Sequence, residues 1–426
     1  MSCIYYIDSR TGSDDYSGLC PDTPLKSCAS LALRPGDSVL FARGSIYREG
    51  IIMAEGTAEA PVYYGSYGEG ALPRFYGSVS LTGKQAWREE APCIWKCTAP
   101  LMDEPCNLIF DGGRECGNLC WEKETMAKQG DWYSDGLGVR ESPGAPVCSD
   151  MTLYLYSAAN PGSFYQDIEC ALHGSRALLK GAGHAVAENL AFWCGGVHGY
   201  AQDMPEDITI RGCEFHFIGG CVWNRERRIR FGNGVELWDG GRNILVENCL
   251  FDNIYDSCVT HQGSPGHVIP EHIAWRGNRF HNYGMAAFEY REYNGRDIVF
   301  ENNICLDAGL GFSMQNETPP RQSEIWPQPM GHHIFIWNIT EGVPGGRILI
   351  RNNLFCGSPY GAAVYSIVSP EAEAQVILEN NRYYKEEEEL WIRFGGKSYG
   401  RDAFLNYQRE TGQDEGSEVL SARPAL

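Results

Sequence analysis

The sequence predicts an all-β chain wound as a right-handed parallel β-helix, with an inserted β segment and short capping helices, and three observations carry that expectation. At 426 residues the chain exceeds an ordinary single core, so it must divide into domains or grow by repetition. One pattern recurs seven times at roughly the spacing of a solenoid turn. The residues after four of the copies stack into alternating apolar and polar columns.

Each copy has an apolar residue, a second apolar residue at +2, Arg or Glu at +3, Gly or Asn at +4, and usually an aromatic at +7. They read AVAENLAF from Ala185, ITIRGCEF from Ile208, ILVENCLF from Ile244, IAWRGNRF from Ile273, IVFENNIC from Ile298, ILIRNNLF from Ile348 and VILENNRY from Val376. The intervals are 23, 36, 29, 25, 50 and 28 residues. The 36 implies a loop insertion, and the 50 a large loop or a degenerate extra coil. Alternation places 0 and +2 inside and +1 and +3 outside, with Asn at +4 or +5 at a corner where left-handed backbone is tolerated and amides can stack between coils. On that register Trp275 is core.

A second short strand follows several copies: GVELW from Gly234, CVTHQ from Cys258, AFEYR from Ala287 and GFSMQ from Gly311. Stacked, they put Val235, Val259, Phe288 and Phe312 inward and Glu236, Thr260, Glu289 and Ser313 outward. Leu237, His261, Tyr290 and Met314 face in again, so His261 reads as a core histidine rather than a base. Trp238, Gln262, Arg291 and Gln315 face out.

Solenoid ends must be covered, since an open stack exposes sheet edges. Thr23-Pro24 followed by Lys26 to Leu33 predicts a short capping helix before the turn Arg34-Pro35-Gly36-Asp37. Gly400 to Gly412 predicts a second helix with a glycine stop, and Glu386 to Glu389 a solvated edge. Between about Gly83 and Gly183 the coil pattern disappears in favour of Cys, Trp and turn residues, with a strand at Met151 to Ser157. The expected division is a cap with first coils over 1–83, the insertion over 84–183, the main coils over 184–386 and a C-terminal cap over 387–426.

A formal charge of −20 and a pI near 4.9 argue against nucleic acid and anionic membranes as partners. No stretch is apolar and long enough to span a bilayer, and Met1-Ser2-Cys3-Ile4-Tyr5 reads into a strand without a signal-peptide pattern, so the expected location is cytoplasmic. Seventeen scattered cysteines fit a reducing compartment. Cys93, Cys97, Cys116 and Cys120 have a spacing zinc can use, but read more simply as small buried hydrophobes. The sequons at Asn316 and Asn338 matter only in a secreted protein.

Ile4 to Cys28, Arg34 to Gly50, FGNGVELW (Phe231 to Trp238) and FEYR (Phe288 to Arg291) resemble bacterial β-helix repeat proteins of the pectate-lyase-like superfamily. The resemblance implies the fold and a carbohydrate ligand. It names no sugar, because relatives include glycoside hydrolases, polysaccharide lyases, epimerases and binding proteins.

The chemistry is expected on the outward columns, because a solenoid's interior is filled with side chains. Glu236 and Glu289 stand two coils apart in one column with Thr260 between them. Glycosidic cleavage needs one protonated carboxyl and one ionised, and a Cα separation of about 10 Å leans toward inversion. Asp256, in the turn before CVTHQ, is a candidate third carboxylate. Trp238 offers a stacking plane, and Arg291 can hold a hydroxyl or depress a carboxylate pKa. Asp239, Thr260, Gln262 and Gln315 complete the substrate-binding set, and His332-His333 are candidates for the cleft lining. The loops Arg225 to Gly232 and Thr318 to Gly331 are expected cleft walls, with Trp326 a lid contact.

The leading expectation is therefore a glycosidase, exo-acting on a neutral or plant-derived oligosaccharide and needing no metal or cofactor. Its first rival is a Ca²⁺-dependent lyase acting on a uronate, with Arg291 as base and Glu236, Asp239 or Asp256 as ligands. A non-catalytic glycan-binding solenoid is the third reading.

Overall fold

The structure, a computed structural model, describes residues 2–142, 151–181, 183–263, 268–292, 294–312, 330–386 and 390–425. Three sheets of ten strands run the length of the solenoid. We call them the repeat sheet, which holds the strands that open the seven copies; the third sheet; and the cleft sheet, which holds Val235–Trp238 and its neighbours. Parallel pairs join coil to coil, Ile208 beside Ile244 beside Ile273 beside Ile298 beside Ile348 beside Val376, so the fold is a right-handed parallel β-helix.

The repeat explains the coil. Positions 0 and +2 of every copy are buried in one continuous core, Trp275 among them. At +4 stand Asn189, Gly212, Asn248, Gly277, Asn302, Asn352 and Asn380, all with φ between 54° and 64°. That is the left-handed corner the sequence predicts. One residue on, Asn278, Asn303, Asn353 and Asn381 form a buried ladder in which each side-chain oxygen accepts from the preceding coil's backbone N–H at 2.9–3.0 Å. The +7 aromatics stack from Phe192 through Phe215, Phe251 and Phe280 at centroid spacings of 5.2, 4.9 and 5.1 Å. Where that position is Cys305, the ring of Phe300 takes its place between Phe280 and Phe355. Each such pair adds about 0.5–1.5 kcal/mol beyond its buried area.

Of the two expected caps, one forms. Phe404–Thr411 is a helix ended by Gly412 at φ 68°, followed by Glu418–Val419, which extends the third sheet. Residues 26–33 form no helix. Leu25 pairs with Ile7 in a parallel bridge, which brings the chain into this stretch extended, and the N–H groups of Lys26 and Ser27 donate to the Asp14 carboxylate at 3.1 and 3.0 Å. Of the acidic run at 386–389, residues 387–389 lie outside the described residues.

The chain leaves the coil repeatedly at one corner, between the third sheet and the cleft sheet. The insertion departs after Arg74–Tyr76 and rejoins at Ala177–Gly181, a strand already hydrogen-bonded in the cleft sheet. It contributes a four-stranded and a five-stranded sheet around a separate core that includes Trp87, Phe110 and Trp132. A hairpin of Cys221–Asn224 and Ile229–Phe231 leaves at the same corner, as does the segment between Ile304–Ala308 and His332–Ile339. Stacked on one edge, the insertion and the hairpin wall the outer face of the cleft sheet.

Candidate active site

Within the cleft sheet, Val235–Trp238, Ser257–Gln262, Ala286–Arg291 and His332–Ile339 pair in register. Val235, Leu237, Val259, Phe288 and Tyr290 fill the solenoid core, so alternation turns Glu236, Thr260 and Glu289 outward in one column. Their face is not solvated: Glu236 is 4% exposed and Glu289 1%. Both line a cavity of about 830 Å³ whose far walls are Trp121 of the insertion and Trp223 and Arg228 to Phe231 of the hairpin.

The two carboxyls are held differently. Glu236 accepts at Oε2 from Asn233 Nδ2 and, at 3.0 Å, from Gln262 Nε2, while its Oε1 has no hydrogen-bond partner among the described residues. Glu289 accepts at Oε2 from Ser257 Oγ at 2.8 Å and at Oε1 from Trp337 Nε1 at 3.1 Å, with Arg291 Nε 3.5 Å from the same Oε1. Burial pushes Glu236 well above the ordinary carboxylate range; Glu289 and Asp256 push the same way, and Arg291 and Asn233 oppose. Burial also raises Glu289, opposed first by Arg291 and then by the Ser257 and Trp337 hydrogen bonds. Arg291 also faces Glu292 at 3.4 Å and lies 5.1 Å from the Trp337 ring centroid, and its carboxylate neighbours hold it cationic.

Trp238, Gln262 and Arg291 of the outward columns, and Asp256 of the turn before Ser257–Gln262, line the cavity. Thr260 is fully buried between the two glutamate rungs and does not line it. Asp239 turns away beyond its strand at φ 58° and does not reach the lining, because the left-handed turn reverses the chain before its side chain can follow the Trp238 face. His261 is buried against Tyr290 at 5.0 Å, and burial lowers it to about 3. Gln315, Ser313, Met314 and Trp326 lie outside the described residues, as does most of the Thr318 to Gly331 loop; its Met330 lines the cavity.

The fourth rung differs from the one expected. The strand hydrogen-bonded to Ala286–Arg291 is His332–Ile339, with Phe335 beside Glu289 and Trp337 beside Arg291. Phe312 packs instead on Phe217 and Tyr255, outside the solenoid core. A long excursion at the shared corner delays the strand, so the first apolar run after Ile304–Ala308 is not the rung. His332 and His333 accordingly belong to that strand and are buried: His332 stacks on Tyr365, His333 bonds the Tyr283 hydroxyl, and neither lines the cavity. Sequence reading also missed Asn233 and Ser257, which hold the two glutamates, and Trp337. Trp337 is recoverable by aligning HHIFIWN rather than GFSMQ as the next rung.

Among the described residues, one set of three His, Cys, Asp or Glu side chains brings its donor atoms within 4.8 Å of one another: His184, Glu206 and Asp207, none of which lines the cavity. The trio Glu236, Asp239 and Asp256 is not gathered as a ligand set, and neither are the four C-x-x-x-C cysteines. No described helix is long and apolar enough to cross a membrane.

No family model and no curated protein matches the chain. Among solved structures it is similar to a GH136 lacto-N-biosidase from Eubacterium ramulus, at 15% identity over 99% of this chain and 67% of that one, TM-score 0.48. It is similar also to XylC in complex with xylose (12%, 98% and 82%, TM-score 0.46) and to an alginate lyase from Paenibacillus (12%, 93% and 92%, TM-score 0.45). Similarity at this level does not carry an activity from one chain to another.

Proposed function

We propose that the chain is a carbohydrate-active β-helix enzyme that hydrolyses glycosidic bonds, with Glu236 as general acid and Glu289 as the ionised base that activates water. One observation carries the reading: two glutamates in a single column, two rungs apart at the floor of a walled cavity, have unequal surroundings. Two buried glutamates that share Arg291 as their close cation disfavour a second ionisation, so one keeps its proton. Burial raises both glutamates, and Glu236, whose hydrogen bonds come only from the neutral amides of Asn233 and Gln262, is the one suited to keep its proton as an acid. Glu289, with Ser257, Trp337 and Arg291 on its oxygens, is the one whose anion is supported.

Two rungs at about 4.8 Å each leave room for a water between sugar and base, which supports inversion. A cavity of about 830 Å³ walled by the insertion and hairpin suits a short oligosaccharide and exo action. Trp238, Trp223 and Trp121 offer planes for sugar rings. The lyase reading loses support because Arg291, its base, is held cationic.

The test is a screen of aryl-glycosides and plant oligosaccharides, followed by Glu236→Gln and Glu289→Gln on the best substrate. Each variant is expected to lose about 10²–10⁴ in kcat while staying folded. Wild-type turnover in either one, or an unsaturated uronate product, overturns the assignment.

A further inference from the structure

Resting on the reading of Glu236 as acid and Glu289 as base, we infer that Lys180, with Arg176 and His198, forms an anion-binding subsite for a carboxylate or sulfate on the leaving-side sugar. The cleft sheet continues two rungs before Val235–Trp238, through His198–Asp203 to Ala177–Gly181. Leu179 pairs with Tyr200, both in the solenoid core, and Ala201 pairs with Glu236, so the outward column reads Lys180, Ala201, Glu236, Thr260, Glu289. Lys180 stands as far before the acid as the base stands after it, about 10 Å along the stack. With the water at Glu289 and the leaving oxygen at Glu236, the departing sugar lies on the far side of Glu236 from the base. There the small side chain of Ala201 lines the cavity and leaves room for a ring, with Lys180 beyond it.

A chain of net charge −20 repels anions on average, yet this end of the cavity gathers N–H donors. Lys180 Nζ reaches the Ser175 carbonyl at 3.3 Å and forms no ion pair among the described residues. Arg176 lines the same end; Glu141, 3.5 Å from its Nε, is shared with His173, which it meets at 2.9 Å. Asp203, the carboxylate on these two rungs, stands beside Trp238 and pairs with neither cation. His198 is buried beside them, paired with Ala177, and its Nδ1 accepts the Asn233 N–H at 3.2 Å. Burial, aided by Arg176, lowers His198 to about 3, so the neutral ring carries its proton on Nε2. That atom makes no hydrogen bond among the described residues and keeps accessible surface, which leaves it a free donor in the cavity wall. A carboxylate or sulfate offers several acceptor oxygens and a charge to such a set, whereas the hydroxymethyl of a neutral sugar offers one uncharged oxygen.

The test uses three disaccharides that share the best non-reducing sugar of the aryl-glycoside screen and end in a uronate, an O-sulfated sugar or the carboxyl-reduced neutral sugar. The full chain is expected to show kcat/KM at least about tenfold higher for an acidic end than for the neutral one, with the margin shrinking as salt is raised. Preference for either anion supports the subsite and says which one it takes. Lys180→Met should level the three substrates, and Lys180→Arg should restore the order; Arg176→Gln serves as the second variant if Lys180→Met does not fold. Equal values for all three in the wild type, or a preference that survives Lys180→Met, overturns the inference. Titration of the three reducing-end sugars alone reads the subsite without turnover: tighter binding of the acidic sugars by a protein that cleaves no glycoside sinks the hydrolase reading and upholds the subsite.

Discussion

Trp337 Nε1 donates to Glu289 Oε1 at 3.1 Å across adjacent rungs, although 48 residues separate them in sequence. The bond stabilises the ionised form of Glu289. Trp337→Phe keeps a ring beside Arg291 and removes the donor. A hydrogen bond to a charged group contributes about 1.5–3 kcal/mol, so kcat should fall at least about tenfold, and the acid limb of the pH profile should move to higher pH.

Arg291 opposes the rise of both glutamates. Arg291→Gln removes that opposition from acid and base together, so both limbs of the kcat/KM profile should move upward. Trp337→Phe should move the acid limb alone. A full profile on one aryl-glycoside distinguishes them.

Asn303 accepts the Asn278 N–H at 2.9 Å and donates to the Trp275 carbonyl at 3.0 Å and to Asn353 Oδ1 at 3.1 Å, all within the core. Asn303→Ala strands a buried donor, the Asn278 N–H, and a buried acceptor, the Trp275 carbonyl, both in the preceding coil. At about 1–3 kcal/mol for each, the expected loss is about 3 kcal/mol, read in urea unfolding, with no change in pH profile.

On the outer face of the third sheet, His281 Nδ1 lies 2.7 Å from Asp252 and its Nε2 3.6 Å from Asp307. The Asp252 hydrogen bond, aided by Asp307, raises His281 from 6.5 to about 9. Burial alone would raise Asp252, but its hydrogen bonds to His216 and His281 bring it below the usual carboxylate range. The histidine's contribution to stability is full below about pH 6.5 and fades as pH rises through about 9. The aspartate's is lost on acidification below its unfolded value of about 3.9. His281→Gln should lower the melting temperature between about pH 5 and 7 and converge on wild type above about 9.

Much of the coil was legible because its rules are local. An apolar pair two residues apart and a left-handed corner two residues later need no knowledge of the rest of the chain, and Asn248 and Asn302 take the predicted backbone. The inward setting of His261 followed from the same alternation. What failed depended on partners distant in sequence. Lys26 to Leu33 has a helical composition, yet Leu25 just before it is drawn into a bridge with Ile7. GFSMQ has the right pattern at the wrong place, since pattern alone cannot say how long an excursion lasts. The glutamates were visible by column; Asn233 and Ser257 were not, because they stand at the corner just before the strand pattern is established.

Among the described residues, every wall of the cavity that is not the cleft sheet hangs from the corner where the third sheet hands over to it. The coil resumes its register after each detour, whether the chain has spent a hairpin there or the stretch between Arg74–Tyr76 and Ala177–Gly181. The hydrogen-bonded ladder therefore imposes no length on what is inserted. Floor and walls are therefore physically separable: an exchanged insertion would reshape what the cavity admits, while Glu236 and Glu289 keep their places on a frame that does not register the change.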